Sequence, residues 1–340
     1  MSKTSIVILN YNGKEMLKEY LPKVIAFSGD ADIIVADNAS SDGSVEMLAV
    51  EFPQVKTVVM DENYGFAGGY NIALKGITTE YIMLLNSDVE VTEEWLKVLE
   101  DFMDAHEDVA ACQPKIRALK NRKAFEYAGA SGGFIDRLGY PYCRGRIFDT
   151  VENDEGQYDD AVEVMWATGA ALIIRNKDWQ MAEGFDASFF AHNEEIDLCW
   201  RLRNMGRKIF VVPQSTVFHV GGATLAKSNP RKTFLNFRNN LTMLYKNLPD
   251  KELNRVMRVR WILDYVAAWQ TLILNRNLGD FKAIYKARRA FREIVKNNPE
   301  IRTKARERVK EDLKKKQMLT PYYILKEYYL RGKKKYSDLT

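Results

Sequence analysis

The residues best suited to chemistry are carboxylates, amides and one histidine that fall at the ends of apolar runs. Tyr81-Ile82-Met83-Leu84-Leu85 has the pattern of a strand buried on both faces, and it stops abruptly at Asn86-Ser87-Asp88. A carboxylate at the carboxyl end of such a strand lies at the mouth of an open α/β sheet, where these folds bind ligands. Hard oxygen donors there suit Mg2+ or Mn2+, and such a cation would hold a diphosphate. The plainer alternative is a polar turn, with Asp88 capping a helix that begins near Glu93-Glu94-Trp95. A second group is Glu194-Glu195-Ile196-Asp197, which follows Phe189-Phe190-Ala191-His192-Asn193. Asn193 can serve as an N-cap, and acids in a first turn are favoured by the helix dipole alone. Three carboxylates exceed what capping needs, and at about 100° per residue only one or two of them can face a cleft.

The elements that must position these groups alternate along the chain. Ser5–Leu9, Asp32–Ala36, Val55–Met60 and the Tyr81 run are apolar strands. Helical spacing follows each of the first three, as in Met16, Leu17, Tyr20, Leu21 and Val24. That alternation predicts an α/β fold: a mostly parallel sheet with helices on both faces, whose strands discharge polar turns toward one edge. A dinucleotide-binding version is excluded at its defining place, because the first strand–helix turn is Asn10-Tyr11-Asn12-Gly13 and not G-x-G-x-x-G. Gly65, Gly68 and Gly69 come two units later. They either let a helix pack closely or let backbone N–H groups reach a ligand. Asp37, ending the second strand, can accept hydrogen bonds from a base N–H or a ribose hydroxyl, or close an Asx turn. For Asp42 the turn is the expected role.

With 340 residues and 46% hydrophobic content, the chain can bury one large domain plus an appendage. The four apolar residues from Ile6 to Leu9 are too few for a signal peptide. Three widely spaced cysteines predict neither a disulfide framework nor a zinc site, and fit a reducing cytosol. The net charge of +4 hides an asymmetry: residues 251–340 hold 24 Lys and Arg against 10 Asp and Glu, or +14, which leaves −10 for residues 1–250.

Asn10-Tyr11-Asn12-Gly13, Asp37-Asn38-Ala39-Ser40-Ser41-Asp42-Gly43, Asn63-Tyr64-Gly65-Phe66-Ala67-Gly68-Gly69, Asn86-Ser87-Asp88 and Glu194-Glu195-Ile196-Asp197-Leu198 stand in order over residues 3–245. Together they resemble the signatures of family 2 inverting glycosyltransferases, most closely the rhamnosyltransferase-like branch that builds bacterial surface polysaccharides. The resemblance implies a GT-A fold over residues 1–248 and a nucleoside-diphosphate sugar donor bound by Asn10, Asp37, Asn63, Gly68 and Asn86, with the nucleobase on Asp37. It also implies Mg2+ or Mn2+ on Asp88 and His219, where Asp88 is the last acid of a metal-binding motif whose first acid is here Asn86. One carboxylate fewer predicts modest metal affinity, supplemented by the donor. His219 follows an apolar strand, and Gly221-Gly222 leave room beside its ring; His106 and His192 have weaker claims. Inversion needs one general base, which maps to Glu195, with Glu194 and Asp197 as fallbacks. The neutral Asn86 keeps open an alternative: a non-catalytic protein that binds sugar nucleotides or glycans on the same fold.

Lower expectations attach to three other segments. Trp166 and the small residues after it could lie against a sugar, or simply pack. Arg231, Lys232 and Arg238 could cover a leaving diphosphate. Residues 121–160, with little periodicity, predict a long insertion at the acceptor side that could be mobile. Residues 249–340 form a basic, helical C-terminal extension. Trp261–Leu274 is too short and too interrupted to span a bilayer, whereas Pro321–Leu330 combines aromatics with Lys as interfacial helices do. No nucleic-acid motif is present, so the expected partners are the donor, a glycan or lipid-linked acceptor, and the cytoplasmic face of a membrane.

Overall fold

The computed structural model describes residues 2–221, 229–313 and 319–339; Gly222, part of the His219 motif, lies outside them. Strand and helix alternate as the spacing predicts: β1 (Thr4–Asn10), α1 (Lys14–Phe27), β2 (Asp32–Asp37), α2 (Ser44–Glu51), β3 (Lys56–Val59), α3 (Gly65–Ala73), β4 (Tyr81–Asn86), β5 (Val89–Val91) and α4 (Trp95–Ala105). Next come β6 (Val109–Ala118) and four short strands, β7 (Gly133–Ile135), β8 (Pro141–Cys143), β9 (Arg146–Ile147) and β10 (Thr150–Val151). The body closes with β11 (Val162–Glu163), β12 (Ala171–Arg175), α5 (Asn176–Met181), α6 (Glu194–Asn204) and β13 (Lys208–His219). Helices α7 (Pro230–Asn247), α8 (Asp250–Ile273), α9 (Leu278–Asn297) and α10 (Ile301–Glu307) follow.

The central sheet runs β11-β13-β6-β12-β4-β1-β2-β3, with β5 added to β13. Strands β4, β1, β2 and β3 are mutually parallel, and β12 enters antiparallel between β4 and β6. Side chains alternate across this sheet, so each strand feeds two cores. Ile6, Ile8, Met83 and Leu85 pack with α1, α2 and α4, while Val7, Ile82 and Leu84 pack with α3, α5 and α6. Parallel pairing places the ends of β1, β2 and β4 on one edge, and Leu9 pairs with Asn86 while Asn10 pairs with Asp37. β13 brings His219 opposite Val89 of β5, one residue from Asp88.

Two expectations are corrected. Residues 121–160 are not a mobile insertion. Strands β7–β10 form a small antiparallel sheet, and Phe125, Ile135, Cys143 and Ile147 are buried. Such short strands carry too few residues to show a period. Pro321–Leu330 is not a free interfacial helix either, because residues 319–339 lie on that small sheet as a strap. Ile324 N donates to Asp136 Oδ2 at 2.9 Å, the Tyr142 hydroxyl to Thr320 Oγ1 at 2.9 Å, and Tyr336 N to Glu152 Oε1 at 2.9 Å. Burial pushes the Asp136 carboxyl up to about 6, against the pull of backbone N–H groups from Tyr140, Ile324 and Leu138.

α8 is tied inward through charge. Arg260 and Asp264 are buried, their side chains meet at 3.0 Å, and Arg288 of α9 reaches Asp264 at 2.6 Å. Arg260 also donates to Asn240 of α7 at 2.6 Å. Buried ions persist when each finds a partner. Among the described residues, no helix is long and apolar enough to cross a membrane.

Candidate active site

The donor edge is built from strand ends stitched by amides. Asn10 Nδ2 donates to Asp37 Oδ2 at 2.9 Å, and Ser40 N donates to Asp37 Oδ1 at 2.8 Å. Asp37 is fully buried, so its carboxylate holds the 38–40 turn and the Asn10 amide and does not stand open to a base. Asp42 has the expected turn role, accepting Lys14 N at 2.9 Å and Ser44 N at 3.1 Å. Asn10 Oδ1 is a buried acceptor without a partner, and Gly13 packs against it so closely that a Cβ there would lie at 2.5 Å. Beside them Tyr11 is exposed and offers an aromatic face.

The glycine cluster serves packing. Gly65 has φ +71°, and Phe66 N and Ala67 N donate to Phe190 O at 2.6 and 3.1 Å. The amides at the start of α3 are therefore spent on the chain itself. A Cβ at Gly69 would strike Leu9 of β1 at 2.9 Å, and Gly68 lies against Tyr64. Asn63 is likewise local: its Oδ1 accepts from Gly65 N at 2.9 Å and from Asn38 Nδ2 at 3.1 Å.

At the next strand end Asp88, His219 and Asn86 converge, all but Asn86 buried. His219 Nε2 is 3.1 Å from Asp88 Oδ1 and 3.5 Å from Asn86 Nδ2. Its Nδ1 faces Glu126 Oε2 at 3.5 Å, a charge contact more than a full hydrogen bond. Burial alone would lower the His219 pKa, but hydrogen bonding and charge from Asp88 and Glu126 outweigh it and push it up to about 10. The sequence did not reveal Glu126, which arrives from ninety-odd residues upstream. The room provided by Gly221 admits this carboxylate, since a Cβ at Gly221 (φ +71°) would meet Glu126 Oε1 at 2.7 Å. Asp88 does not cap α4, which starts from Glu94.

This cluster fits a divalent cation in part. One hard oxygen and one imidazole face each other, and negative charge from two carboxylates gathers a positive charge onto His219 even in the bare chain. Among the described residues no three His, Cys, Asp or Glu side chains form a cation cage. Asp88 and His219 would thus supply two ligands, leaving the remaining positions to donor oxygens and water.

The three acids of α6 separate by environment. Asp197 is fully buried and saturated: Arg201 reaches it at 2.8 Å, Lys246 at 3.0 Å and Asn247 at 2.9 Å. It pins α6 to α7 and is not placed to take a proton. Glu194 is buried with Oε2 unpartnered, and desolvation followed by the Glu195 charge raises it well above the usual carboxylate range. Glu195 is half-buried, its Oε2 also unpartnered, and desolvation pushes it up to about 7. It borders Gly169, where a Cβ would stand 3.8 Å from Glu195 Cβ, and the next residue, Ala170, accepts Asn86 N at 2.9 Å. The Glu195 side and the Asn86–Asp88 side are thus separated by one short turn. Trp166 is not part of it: the ring is buried on Gly133, and Nε1 donates to Phe134 O at 3.0 Å.

A strained loop delivers Glu194 and Glu195. Phe190, His192 and Asn193 have φ of 63°, 73° and 68°, and Asn193 precedes α6 without a side-chain cap. Non-glycine residues hold such angles only when their surroundings over-determine them. Here Asn239 Nδ2 reaches Phe189 O, Ala191 O and His192 O at 2.9, 2.9 and 2.7 Å. Arg238 donates to Ser188 O and Phe189 O, and Arg231 lies over the Phe190 ring. Arg238 therefore shapes the loop. His192 is half-buried and driven down to about 4 by desolvation and then by Lys232, so it stays neutral. His106 stacks on Phe102, away from these groups.

Residues 5–156 match the family described as Glycosyl transferase family 2. The N-acetylglucosaminyl-diphospho-decaprenol L-rhamnosyltransferase of Mycobacterium tuberculosis is 23% identical over 63% of this chain and 75% of its own. Rhamnosyltransferase WbbL of Escherichia coli K12 is 24% identical over 63% of this chain and 82% of its own. In fold, the chain is similar to GalNAc-T7, solved with UDP, GalNAc and Mn2+, with a TM-score of 0.60 and 15% identity. That likeness covers 88% of this chain and 57% of GalNAc-T7, and it shows a GT-A fold. The ordered strand-end turns, the GT-A sheet and the sequence relatives agree: the chain has a GT-A fold and is similar to the family 2 glycosyltransferases, whose model matches residues 5–156.

Proposed function

We propose that this glycosyltransferase moves a sugar, with inversion, from a nucleoside-diphosphate donor to a lipid-linked glycan acceptor. The observation that carries the reading is the meeting of two unlike groups across the Gly169–Ala170 turn. On one side is an Asp88–His219 pair suited to a cation and a diphosphate; on the other is Glu195, an acid held near neutrality. A general base works best when its pKa lies near the working pH. A single in-line displacement needs one such group, whereas glycoside hydrolysis would need two carboxyl groups flanking the bond.

In this mechanism Glu195 takes the proton from the acceptor hydroxyl as the sugar transfers; desolvation keeps its pKa high, and its charge in turn helps to hold Glu194 protonated beside it. Asp37 and Asn10 fix the turn on which the nucleoside rests, with Tyr11 offering a stacking face. Asp88 and His219 would hold Mg2+ or Mn2+, which when bound would offset charge on the leaving diphosphate. The rhamnosyltransferase relatives, one named for a diphospho-decaprenol substrate, support a deoxyhexose donor and a lipid-linked acceptor. The basic C-terminal region supports work at the inner face of a membrane. The non-catalytic alternative is disfavoured, because a binding protein has no use for an unpartnered, half-buried Glu195.

A thermal-shift panel of nucleoside-diphosphate sugars, rhamnose donors first, with and without Mn2+, tests the donor reading. Binding to the native state raises Tm by mass action. One donor should stabilise the enzyme more with Mn2+ than without; no shift with any donor would overturn the reading.

A further inference from the structure

The outward face of α8 is apolar and largely open among the described residues. Trp261, Trp269, Ile273 and Leu274 are 55%, 49%, 66% and 71% exposed, and Ile262 and Val266 are also open. At about 100° per residue, the five within α8 up to Ile273 fall in an arc of about 140°. The opposite arc holds Val256, Arg260, Asp264 and Ala268, all buried. The helix thus has two fully distinct faces, one of them against the body. An aromatic seam with α9 backs the open face: Trp261 on Tyr265, Tyr265 on Tyr285, and Trp269 on Phe281.

The rim of this face is positive. Arg258, Arg276, Lys282 and Lys286 are exposed, and no acidic side chain among the described residues pairs with them. The acids nearby are turned to other work: Asp264 lies between Arg260 and Arg288, and Asp280 accepts from Thr233 and Asn277. We propose that the outer face of α8, with the start of α9, is the surface on which the enzyme rests against an anionic lipid bilayer. Tryptophan on an apolar stripe flanked by Lys and Arg matches the interfacial layer of such a bilayer, where the rings sit at headgroup depth and the cations meet lipid phosphates. A second copy across a two-fold axis fits worse, because it would set the same cations against each other. The proposal deepens the lipid-linked acceptor reading and rests on it. It also gives α8 a route to the site, since Arg260 holds Asn240 beside the loop-binding Asn239.

Tryptophan fluorescence tests this without turnover. Trp95, Trp166, Trp179 and Trp200 are buried, so a change on adding vesicles reports Trp261 and Trp269. Phosphatidylcholine vesicles containing phosphatidylglycerol should bind the full chain, shift its emission to the blue and allow quenching by brominated lipid tails. Pure phosphatidylcholine should bind it poorly. Lys282→Glu with Lys286→Glu should weaken partition by well over tenfold, since each basic group near such a surface contributes roughly fivefold. Trp261→Ala with Trp269→Ala should weaken it too and abolish the blue shift, while nucleotide-induced stabilisation is retained as proof of fold. Absence of binding, equal binding to both vesicle types, or sedimentation without a tryptophan shift would overturn the proposal. So would dimerisation in lipid-free buffer that Trp269→Glu dissolves. Donor binding measured without vesicles separates this failure from failure of the glycosyltransferase reading.

Discussion

Replacing Glu195 by Gln should make the protein more stable and nearly inactive, and the gain should depend on pH in a specified way. Desolvation holds the folded carboxyl at about 7, against an ordinary 4.5. The raised value means the folded state binds more protons than the unfolded state between these limits. Stability is therefore full below about pH 4.5 and declines as pH rises through 7. At 1.36 kcal/mol per unit, the shift corresponds to about 3 kcal/mol by pH 8, enough to be a large share of a domain's stability. Glutamine keeps the shape, cannot ionise, and relieves Glu194 of a neighbouring charge. Melting curves of the two proteins from pH 4 to 8 should nearly coincide at the acid end and separate progressively above pH 5, with Glu195→Gln the more stable. Turnover of the same variant should fall by roughly the 10²–10⁴-fold typical of losing a general base. A stability difference that is constant with pH, or a variant less stable at pH 8 than the parent, would refute the desolvation argument.

Other perturbations have separate signatures. Asp88→Ala should remove the Mn2+-dependent part of nucleotide binding and leave the metal-independent part, as read by calorimetry with and without Mn2+. Glu126→Gln, which keeps the packing around Gly221, should weaken apparent Mn2+ affinity by about 10–100-fold, as losing an outer partner of a ligand does. Asn239→Ala leaves three loop carbonyls short of their donor, at about 1–3 kcal/mol for an unsatisfied buried group. It should lower kcat with donor Kd unchanged. Deleting residues 319–340 should lower Tm sharply, because it uncovers Tyr142 and Ile147 and strips Asp136 of the Ile324 amide.

Much of the scaffold was legible because period and punctuation coincide there. β1, β2 and β4 end at Asn10, Asp37 and Asn86, where apolar runs give way to turn residues. The small sheet was not legible, since strands of two or three residues carry no period. At the site, the residue types marked Glu194, Glu195 and Asp197 alike, and only the family resemblance put Glu195 first. Their difference comes from Lys246 and Asn247, about fifty residues downstream, which saturate Asp197 and leave Glu195 unpartnered. Asp37 looked like a ligand because nothing in the sequence says that its two oxygens are taken by Asn10 and Ser40. The glycine cluster looked open for the same reason: the Phe190 carbonyl that occupies its amides comes from a loop some 125 residues away.

The most direct test of the central claim is release of nucleoside diphosphate from the stabilising donor in the presence of acceptor, followed with and without Mn2+ in the parent, Asp88→Ala and Glu195→Gln proteins. The account predicts metal-stimulated release in the parent, loss of the metal stimulation in Asp88→Ala, and intact donor binding with little release in Glu195→Gln. Undiminished release from Glu195→Gln, or metal stimulation that survives in Asp88→Ala, would contradict it.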